Sequence, residues 1–593
     1  MPVTMRLRPA ILAAGAGLFV FSAIAVAQDP DGMSDRVSTV TLTPPSVVED
    51  NRAVTERLLA HPICQIWGMP TLREDHQGRP VVYSTFIDIR ESMTEAHDNQ
   101  PGLRGLEGGW NCGGTDDIYP PDPIMAAGPA HLIVATNQQF KIYTKDGTED
   151  FVSTWGLFFS DVKPPGTFTT DPKVIYDHDS GRWFLLILAI NSGDLYSYYL
   201  LAVSDDADPN GTWMKYALDS TLNGENPSNN WSDYPGLGVS ADAIYVTSNM
   251  FSRFTGSLQY AKIRVLPKQQ LLDFETTLTW SDFWDIDDPG GGKAFTIQPA
   301  QHWGTPPVPF LVDSNPGNQI SVFGVNDPLG SPTLTSLSAT VNNFATPPSA
   351  EQLGGLPNLD TIDTRVYNAV WRNDYIYCAH NRNRVNNAGS KWYKISTADW
   401  PSFLTVDAQG SVGDNTVNMW FPSVAVNQND TLVIGFSHSS TSTYASIYYA
   451  FRPANGVMSD PLYIHYGNGH YIGAGYSLER WGDYTGTVVD PEDDRSFWHY
   501  NQFPNPIDPT KWRTWVAKFT VGCPNPGGSG NYCTADIDGS GDCIVGLNDL
   551  AQLLGHYGTT TGADHDDGDL DGDGDVDLSD LAALLGQYGD DCN

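Results

Sequence analysis

The chain has 593 residues, of which 11% are aromatic, and it contains 57 Gly and 41 Pro with a formal net charge of -38 at pH 7. This composition favours strands and turns over helices, and the length is too great for one ordinary hydrophobic core. A charge of this sign repels nucleic acid and anionic membrane surfaces, so neither is expected as a partner.

The first residues have the pattern of a secretory signal peptide. Arg6 and Arg8 precede an apolar run that ends in the small residues Ala25-Val26-Ala27. We predict cleavage after Ala27, which makes residues 1–27 the signal peptide and places the mature protein outside the cell. The alternative is a membrane anchor, but the run is at the short end for a span, and no later segment is apolar enough to cross a bilayer.

Residues 28–115 contain no motif that assigns a function and are predicted to pack as an N-terminal extension against the domain that follows.

Within residues 116–521 a local pattern recurs, in which an aromatic or Pro-containing start leads into alternating apolar residues, a turn and a second aromatic strand. Four copies are clear, and they begin at Asp122-Pro123, Asp171-Pro172, Tyr234-Pro235 and Phe421-Pro422. Three looser copies begin near Gln301, Arg365 and Asp483.

Seven starts at intervals of about 50 to 65 residues predict a seven-bladed β-propeller, because each four-stranded blade must stack on its neighbours to bury its faces. The alternative is a pair of β-sandwiches. Residues Ser204 to Trp213 resemble the Asp-box hairpin of sialidase-type propellers, although with extra residues and in one copy. The closing segment, Arg480 to Gly486, resembles the last blade of large secreted bacterial propellers whose activities are mostly unassigned.

The sequence has no phosphate-binding glycine loop, no His-Glu-x-x-His zinc motif and no Gly-x-Ser-x-Gly elbow, which argues against several hydrolase classes. Polar residues do lie at the predicted blade starts, namely Asp122, Asp171, Asp233, Arg365 and Asp483. Paired carboxylates at the mouth of a propeller could act as acid and base on a glycosidic bond. The candidate catalytic residues are Asp233, Arg365, His380 and Asp483.

A sugar would also need aromatic faces and hydrogen-bonding groups, and an Arg could hold a carboxylate or sulfate. The candidate carbohydrate-binding residues are His302, Trp303, Arg480 and Trp481. The alternative for each polar residue is structural, in which Asp residues accept backbone N–H groups at blade starts and the histidines are core residues.

A Gly/Pro/Ser-rich linker, residues 522–532, separates this region from a tail, residues 533–593, that contains 15 Asp and no Glu, Lys or Arg. Such a segment would expand by self-repulsion unless cations lay among its carboxylates. The tail repeats itself at an offset of 31 residues, with Leu547 to Gly558 aligned on Leu578 to Gly589. Each copy has Leu and Ala at helical spacing and a glycine stop, which predicts one short helix.

The loop before the second helix has the oxygen-bearing spacing of a twelve-residue calcium site, with Gly574 at the sharp turn and Val576 directed to the core. Its predicted ligands are Asp569, Asp571, Asp573, Asp575, Asp577 and Asp580. The first loop offers Asp538, Ser540, Asp542, the Ile544 carbonyl and Asp549. We expect its calcium to be held more weakly, because Cys543 occupies the turn and Gly546 brings no side-chain oxygen.

Two loops, each followed by a single helix, resemble the type I dockerin family over about the last 60 residues. The resemblance implies a small all-α module that folds on two Ca²⁺ ions and docks into a cohesin-type module or a cell-surface scaffold. Family members often carry Ser or Thr at loop positions 10 and 11, where this chain has Leu547-Asn548 and Leu578-Ser579. The module could therefore also serve as a calcium-stiffened tail.

The seven Cys are an odd number, so at least one is unpaired or bonded outside the chain. A bond between Cys533 and Cys592 would clasp the repeats, with Cys523 and Cys543 as competitors. Cys64 with Cys112 is a second pairing, and Cys378 is expected to be buried in a strand.

Two functions remain open on this basis. The first is a secreted propeller that binds or degrades extracellular polysaccharide, as a glycoside hydrolase or polysaccharide lyase if it is an enzyme, with the calcium module as its docking appendage. The second is a non-enzymatic surface or adhesion protein with a calcium-stabilised interaction tail.

Overall fold

The structure is a computed structural model. It describes residues 119–521 except 192, 194, 414, 455, 474 and 520, three strands nearer the N-terminus, and residues 535, 537, 545–561, 563, 567–570 and 574–588 of the tail. The predicted signal peptide and linker lie outside the described residues. So do the predicted ligands Asp538, Ser540, Asp542, Ile544, Asp571 and Asp573.

The described chain is mainly β. The N-terminal region contributes three strands, β1 (Val37–Leu42), β2 (Val82–Asp88) and β3 (Arg104–Glu107). Short strand pairs are β12 (Leu222–Asn223) with β13 (Asn226–Pro227), and β22 (Asn358–Leu359) with β31 (Leu478–Glu479). The helices are α1 (Trp155–Phe158), α2 (Lys268–Leu272), α3 (Leu547–His556) and α4 (Leu578–Gln587).

The other strands fall into seven successive groups of antiparallel strands, here called units, of which units 4 and 5 join into one eight-stranded sheet through a parallel pairing of their first strands. Unit 1 comprises β4 (Ile124–Ala127), β5 (His131–Ala135), β6 (Gln139–Thr144) and β7 (Glu149–Thr154). Unit 2 comprises β8 (Thr167–Asp177), β9 (Arg182–Asn191), β10 (Ser197–Ser204) and β11 (Thr212–Asp219). Unit 3 comprises β14 (Asn230–Val239), β15 (Ala243–Ser252), β16 (Leu258–Pro267) and β17 (Leu278–Trp284).

Unit 4 comprises β18 (Gln298–Trp303), β19 (Phe310–Asn315), β20 (Gly317–Asn326) and β21 (Thr333–Phe344). Unit 5 comprises β23 (Val366–Arg372), β24 (Tyr375–Arg384), β25 (Asn387–Ser396) and β26 (Thr405–Ser411). Unit 6 comprises β27 (Asn418–Val426), β28 (Leu432–Ser440), β29 (Thr443–Arg452) and β30 (Leu462–His465). Unit 7 comprises β32 (Gly486–Val489), β33 (Phe497–Pro504) and β34 (Trp512–Phe519), with β3 paired on β34 as the fourth strand.

The first strands of the units contact one another in chain order, and β32 of unit 7 contacts β4 of unit 1. This closed cycle is the arrangement of a propeller-like fold. Three of the seven starts recognised in the sequence, at Asp122, Arg365 and Asp483, lie just before a first strand, and the other four lie within one. The N-terminal region also packs on the units, because β1 pairs with β17 and β2 pairs with β11.

The second strand of unit 2, β9, illustrates why the units must stack. Its residues Trp183 to Ala189 are fully buried, without the alternation of a half-exposed strand. Leu186 and Leu188 belong to a core shared with unit 3, whereas Leu185 and Ile187 belong to a core shared with unit 1. Each such side chain contributes about 1.5–3 kcal/mol on burial, so a unit in isolation would lose much of its stabilisation.

The repeated starts have a common backbone feature, which is a residue in the left-handed region. The φ angle is 61° at Asp171, 51° at Tyr234, 56° at Thr296 and 53° at Phe421. This conformation costs a non-glycine residue about 1–2 kcal/mol. At these four positions the residue's N–H donates to a side-chain oxygen of the preceding unit. The acceptors are Asn137 at 2.7 Å, Asp171 at 3.1 Å, Asn249 at 2.7 Å and Asn381 at 2.9 Å.

Asn381 is the acceptor whose removal tests this feature most directly. It is fully buried, and its amide also donates to the Thr361 carbonyl at 2.7 Å. We expect Asn381→Ala to lower the free energy of unfolding by about 3 kcal/mol, because two buried backbone groups lose their partner. Asn343→Ala, at an exposed position of β21, should change it by less than about 0.5 kcal/mol. Urea denaturation measures both, and equal effects would contradict this role.

Candidate functional site at the mouth of the ring

The end of the ring where the first strands begin is filled by buried aromatic rings. Tyr234, Tyr367, Phe421 and Tyr484 belong to one apolar cluster and are at most 3% exposed. The hydroxyl of Tyr484 donates to the Pro172 carbonyl at 2.9 Å, which joins unit 7 to unit 2 across the ring. These rings form a floor, here called the aromatic floor, on which the charged residues of the mouth lie.

Asp122 and Asp171 are the most deeply buried carboxyl groups at this mouth, at 1% and 6% exposure. Asn137 donates to Asp122 Oδ2 at 2.8 Å, and Thr170 donates to Asp171 Oδ1 at 2.9 Å. Burial, followed by the nearby Asp483, raises the pKa of both carboxyl groups above the ordinary value. Both therefore hold their protons to higher pH than an exposed Asp does.

Asp233 and Asp483 lie at the same mouth but are only partly buried. Burial, and then the neighbouring carboxyl groups of Asp171 and Asp483, raises the pKa of Asp233 to about 7 against the opposing effect of Arg365. Asp483 forms an ion pair with Arg480, and its main-chain carbonyl accepts from the Tyr234 hydroxyl at 3.1 Å. A carboxyl group that is protonated near neutral pH thus neighbours one that is paired with a guanidinium.

Arg365 also lies on the aromatic floor. Its guanidinium is 4.3 Å from the Tyr234 ring centroid and donates to both carboxylate oxygens of Asp363, at 2.8 and 2.7 Å. Burial would raise the pKa of Asp363, but the hydrogen bonds and charge of Arg365 hold it below the ordinary value. Asp363 is therefore ionised, and its charge neutralises Arg365.

Lys173 is a further member of the site, and only its place after Asp171-Pro172 could have indicated it from the sequence. Its Nζ lies 3.2 Å from the Tyr484 ring centroid, and the residue is 7% exposed. Burial lowers the pKa of Lys173 to about 7 against the opposing charges of Asp171, Asp122 and Asp483.

The structure brings together Asp122, Asp171, Asp233, Arg365, Arg480 and Asp483, but it places the remaining candidates elsewhere. His380 is fully buried, with its Nε2 2.8 Å from the Tyr393 hydroxyl. His302 is 6% exposed, and its Nε2 accepts from the Phe310 N–H at 3.0 Å. Burial lowers the pKa of His380 to about 3 and that of His302 to about 4, so both are neutral core residues.

The two candidate tryptophans also lie away from the surface of this mouth. Trp481 is 1% exposed and donates its indole N–H to Ser437 at 3.0 Å, so it offers no face to a sugar. Trp303 ends its strand at the opposite side of the ring, where it stacks on His178 with centroids 4.5 Å apart. Three of the candidates are therefore core residues, as the structural alternative predicted, and do not contact a ligand: Trp481, His302 and His380. Cys378 is buried and free, as expected.

A cavity of about 160 Å³ opens at the end of the ring where the first strands finish. Asp177 lines it, but this carboxylate is ion-paired with Lys268 at 2.8 Å and both side chains are 5% exposed. At the other end of the ring, over the aromatic floor, several carboxyl groups lie close enough together to raise one another's pKa. That mouth is therefore the candidate functional site.

In the tail, the structure brings together three carboxyl groups of the second predicted calcium loop. Asp575, Asp577 and Asp580 bring ligand oxygens within 4.8 Å of one another. Asp569 accepts from the Gly574 N–H at 2.8 Å, and Gly574 has a φ of 87°. Three carboxylates around one point suit a hard divalent cation such as Ca²⁺.

The first repeat folds in the same way where it is described. Asp549 accepts from the Ile537 and Gly546 N–H groups, both at 2.7 Å. At the equivalent position of the second repeat, Asp580 accepts from the Leu570 N–H at 2.7 Å and from the Asp577 N–H at 2.8 Å. The two valines that follow the turns, Val545 and Val576, are both fully buried in one small core. The predicted helices are present, and Gly558 after the first has a φ of 93°.

No family model matches the sequence, and no curated protein matches it. Several solved structures are similar at low identity. An α-L-arabinofuranosidase from Fusarium graminearum is 12% identical, with 71% of this chain and 98% of that chain covered and a TM-score of 0.33. The phage phi92 endosialidase is 9% identical, with 72% and 69% covered and a TM-score of 0.31. An exo-1,5-α-L-arabinanase from a bovine ruminal metagenomic library is 11% identical, with 58% and 97% covered and a TM-score of 0.26.

Among the helices of the described residues, none has the length and apolar character needed to cross a membrane.

Asp171 allows a test of the charge burial at this site. Its raised pKa means that the folded chain keeps a proton which the unfolded chain releases near the ordinary value of 3.8. The free energy of unfolding should therefore fall as pH rises above that value and through the raised pKa. We expect Asp171→Asn, which keeps an oxygen for the Tyr234 N–H, to reduce the fall measured by urea denaturation between pH 5 and pH 8.5. An unchanged fall, equal to that of the exposed control Asp407→Asn, would contradict this prediction.

Proposed function

We propose that this protein is a secreted, seven-bladed β-propeller glycoside hydrolase that acts on extracellular polysaccharide at the mouth over the aromatic floor. The observation that carries the proposal is that Asp233, whose pKa burial raises to about 7, lies near enough to Asp483 for that carboxyl group to raise its pKa, while Asp483 is ion-paired with Arg480. Hydrolysis of a glycosidic bond commonly uses two carboxyl groups, one of which donates a proton to the leaving oxygen. The cyclic contacts of the seven units support the blade number.

In this proposal Asp233 is the general acid. It protonates the leaving oxygen of the glycosidic bond, while Asp483 carries the negative charge that stabilises the oxocarbenium-like transition state or activates water. The Arg480 guanidinium supplies a counter-charge to the Asp483 carboxylate through their ion pair. Trp303 and Trp481 have no part in the mechanism.

A binding protein without catalysis is the second candidate function. The observation that favours it is that Asp122 and Asp171 also serve the fold, as hydrogen-bond partners of Asn137 and Tyr234. In that case the mouth would hold a glycan without releasing products. The experiment below separates the two.

Asp233→Asn tests the catalytic proposal. We expect it to lower the release of reducing ends from neutral arabinan, galactan or xylan by at least about 100-fold, because an amide cannot donate the proton. The activity of the unsubstituted protein should fall as pH rises through about 7, where Asp233 loses its proton. Asp407→Asn, at an exposed site on the outer strand of unit 5, is the matched control. Full activity in Asp233→Asn would contradict the proposed acid, and binding without product release from any glycan would favour the second function.

We also propose that the tail, residues 533–593, is a dockerin-type module that binds two Ca²⁺ ions, the second more tightly. Asp569, Asp575, Asp577 and Asp580 would hold the second ion together with Asp571 and Asp573. The exposed apolar residues of the two helices support a docking role, because they recur at equivalent positions with similar exposure. The pairs are Leu547 with Leu578, Leu554 with Leu585, and Tyr557 with Tyr588. The partner would be a cohesin-type module or cell-surface scaffold, reached after export and signal cleavage.

Asp577→Asn tests the calcium proposal in the full-length protein. Asp577 caps the helix by accepting from the Ser579 N–H at 2.6 Å, and Asn is an equally good cap, so the helix should persist. We expect calorimetric titration to show at least about tenfold weaker Ca²⁺ binding at one site and no change at the other. Asp567→Asn removes a carboxylate outside the loop and should leave both affinities unchanged. Unchanged binding in Asp577→Asn would contradict the assignment.

A further inference from the structure

Both arginines at the candidate site are already neutralised by carboxylates of their own segments. Asp363, two residues before Arg365, accepts from its Nε and one terminal nitrogen, while the Tyr234 and Phe295 rings lie 4.3 and 5.2 Å from the guanidinium. Arg480 is ion-paired with Asp483, three residues on. The Arg480 side chain is 45% exposed, but an acidic sugar that approached either guanidinium would also meet the carboxylate paired with it, so the net gain in free energy would be small.

The third cation at this mouth is equally unsuited to an external anion. Lys173 is 7% exposed, its Nζ lies against the Tyr484 ring, and burial lowers its pKa to about 7. It is therefore partly uncharged at neutral pH. Asp171, Asp122 and Asp483 already supply the negative charge that acts on it.

Carboxyl groups outnumber cations among the described residues of this mouth. The carboxyl groups are Asp122, Asp171, Asp233, Asp363 and Asp483, and the cations are Lys173, Arg365 and Arg480. Asp360 adds a further negative charge that acts on Arg480. The whole chain has a net charge of -38. The raised pKa values of Asp122, Asp171 and Asp233 reduce their negative charge at neutral pH, so the repulsion of a negatively charged ligand comes mainly from the long-range field of the chain. At contact, both arginines of the described mouth are already paired with carboxylates and offer such a ligand little compensation.

We propose that the site takes a neutral glycan and rejects polysaccharides that carry carboxylate or sulfate groups. This inference rests on the proposed function and names the substrate class. Sugar hydroxyls are donors, and the accessible oxygens of Asp363 and Asp483, with side-chain exposures of 33% and 13%, are acceptors. In this proposal the arginines orient these carboxylates and do not bind substrate. It therefore replaces the expectation from the sequence that an Arg holds a carboxylate or sulfate of the sugar.

The test compares matched glycan probes with the full-length protein. Isothermal titration at pH 7 and 20 mM salt would use neutral galactan against sulfated galactan, and methyl-esterified homogalacturonan against the free polygalacturonate. We expect the neutral member of a recognised pair to bind at least about tenfold more tightly, with the gap narrowing at 300 mM salt because screening weakens the repulsion. Tighter binding of the acidic member would overturn the inference and leave the glycan site standing. Binding of no probe in this set or among neutral arabinan and xylan would overturn both the inference and the proposed function.

Asp363→Asn provides the complementary test. Asn keeps the oxygen that accepts from the Arg365 N–H at 2.9 Å, so the local turn should be retained, but the guanidinium loses its neutralising charge. We expect binding of the acidic probe to strengthen by about fivefold or more relative to the neutral probe. Asp494→Asn, which frees Arg372 at the opposite end of the ring, is the matched control and should not change the ratio. An unchanged ratio in Asp363→Asn would show that its charge does not exclude anions and would overturn the inference.

Discussion

The architecture depends on one recurring interaction, in which a side-chain oxygen of one unit accepts the N–H of a left-handed residue at the start of the next. The strained residue lies within the first strand in three units, where a Pro follows it, and two residues before the first strand in the fourth. Because the acceptor belongs to the preceding unit, the strain is relieved only when neighbouring units are in place. Asp171 illustrates the coupling, since it is both a left-handed residue held by Asn137 and the acceptor for Tyr234.

The same interaction determines where the charged residues lie. Residues at the start of each first strand face the mouth, so the carboxyl groups of several units meet there above the aromatic floor. Burial against these rings disfavours charge, which raises the pKa of Asp122, Asp171 and Asp233 and lowers that of Lys173. Groups with displaced pKa values in an open mouth are characteristic of functional sites, although ring-building residues also show them. Asp171 belongs to both categories.

Much of the fold and part of the site were predictable from local patterns. Asp-Pro and aromatic-Pro pairs marked the starts of four units, and the position of Asp233 and Asp483 at such starts predicted that they meet. The histidines and Trp481 could not be placed in this way. His380 is neutral and buried because Tyr393 and Phe344 lie beside it, and those neighbours come from strand register and from another unit. Lys173 was missed because its partner, Tyr484, is more than 300 residues away in the chain.

The sequence by itself determined the features that depend on residues close together in the chain. These are the Asp spacing of the tail loops with Gly574 at the turn, the short helices that follow, and the periodic strand starts, all of which need no distant contact to be recognised. Only the tertiary structure decided which polar groups remain accessible and which are protonated. Accessibility and pKa are set by burial, and burial at this mouth is produced by aromatic rings that four different units contribute.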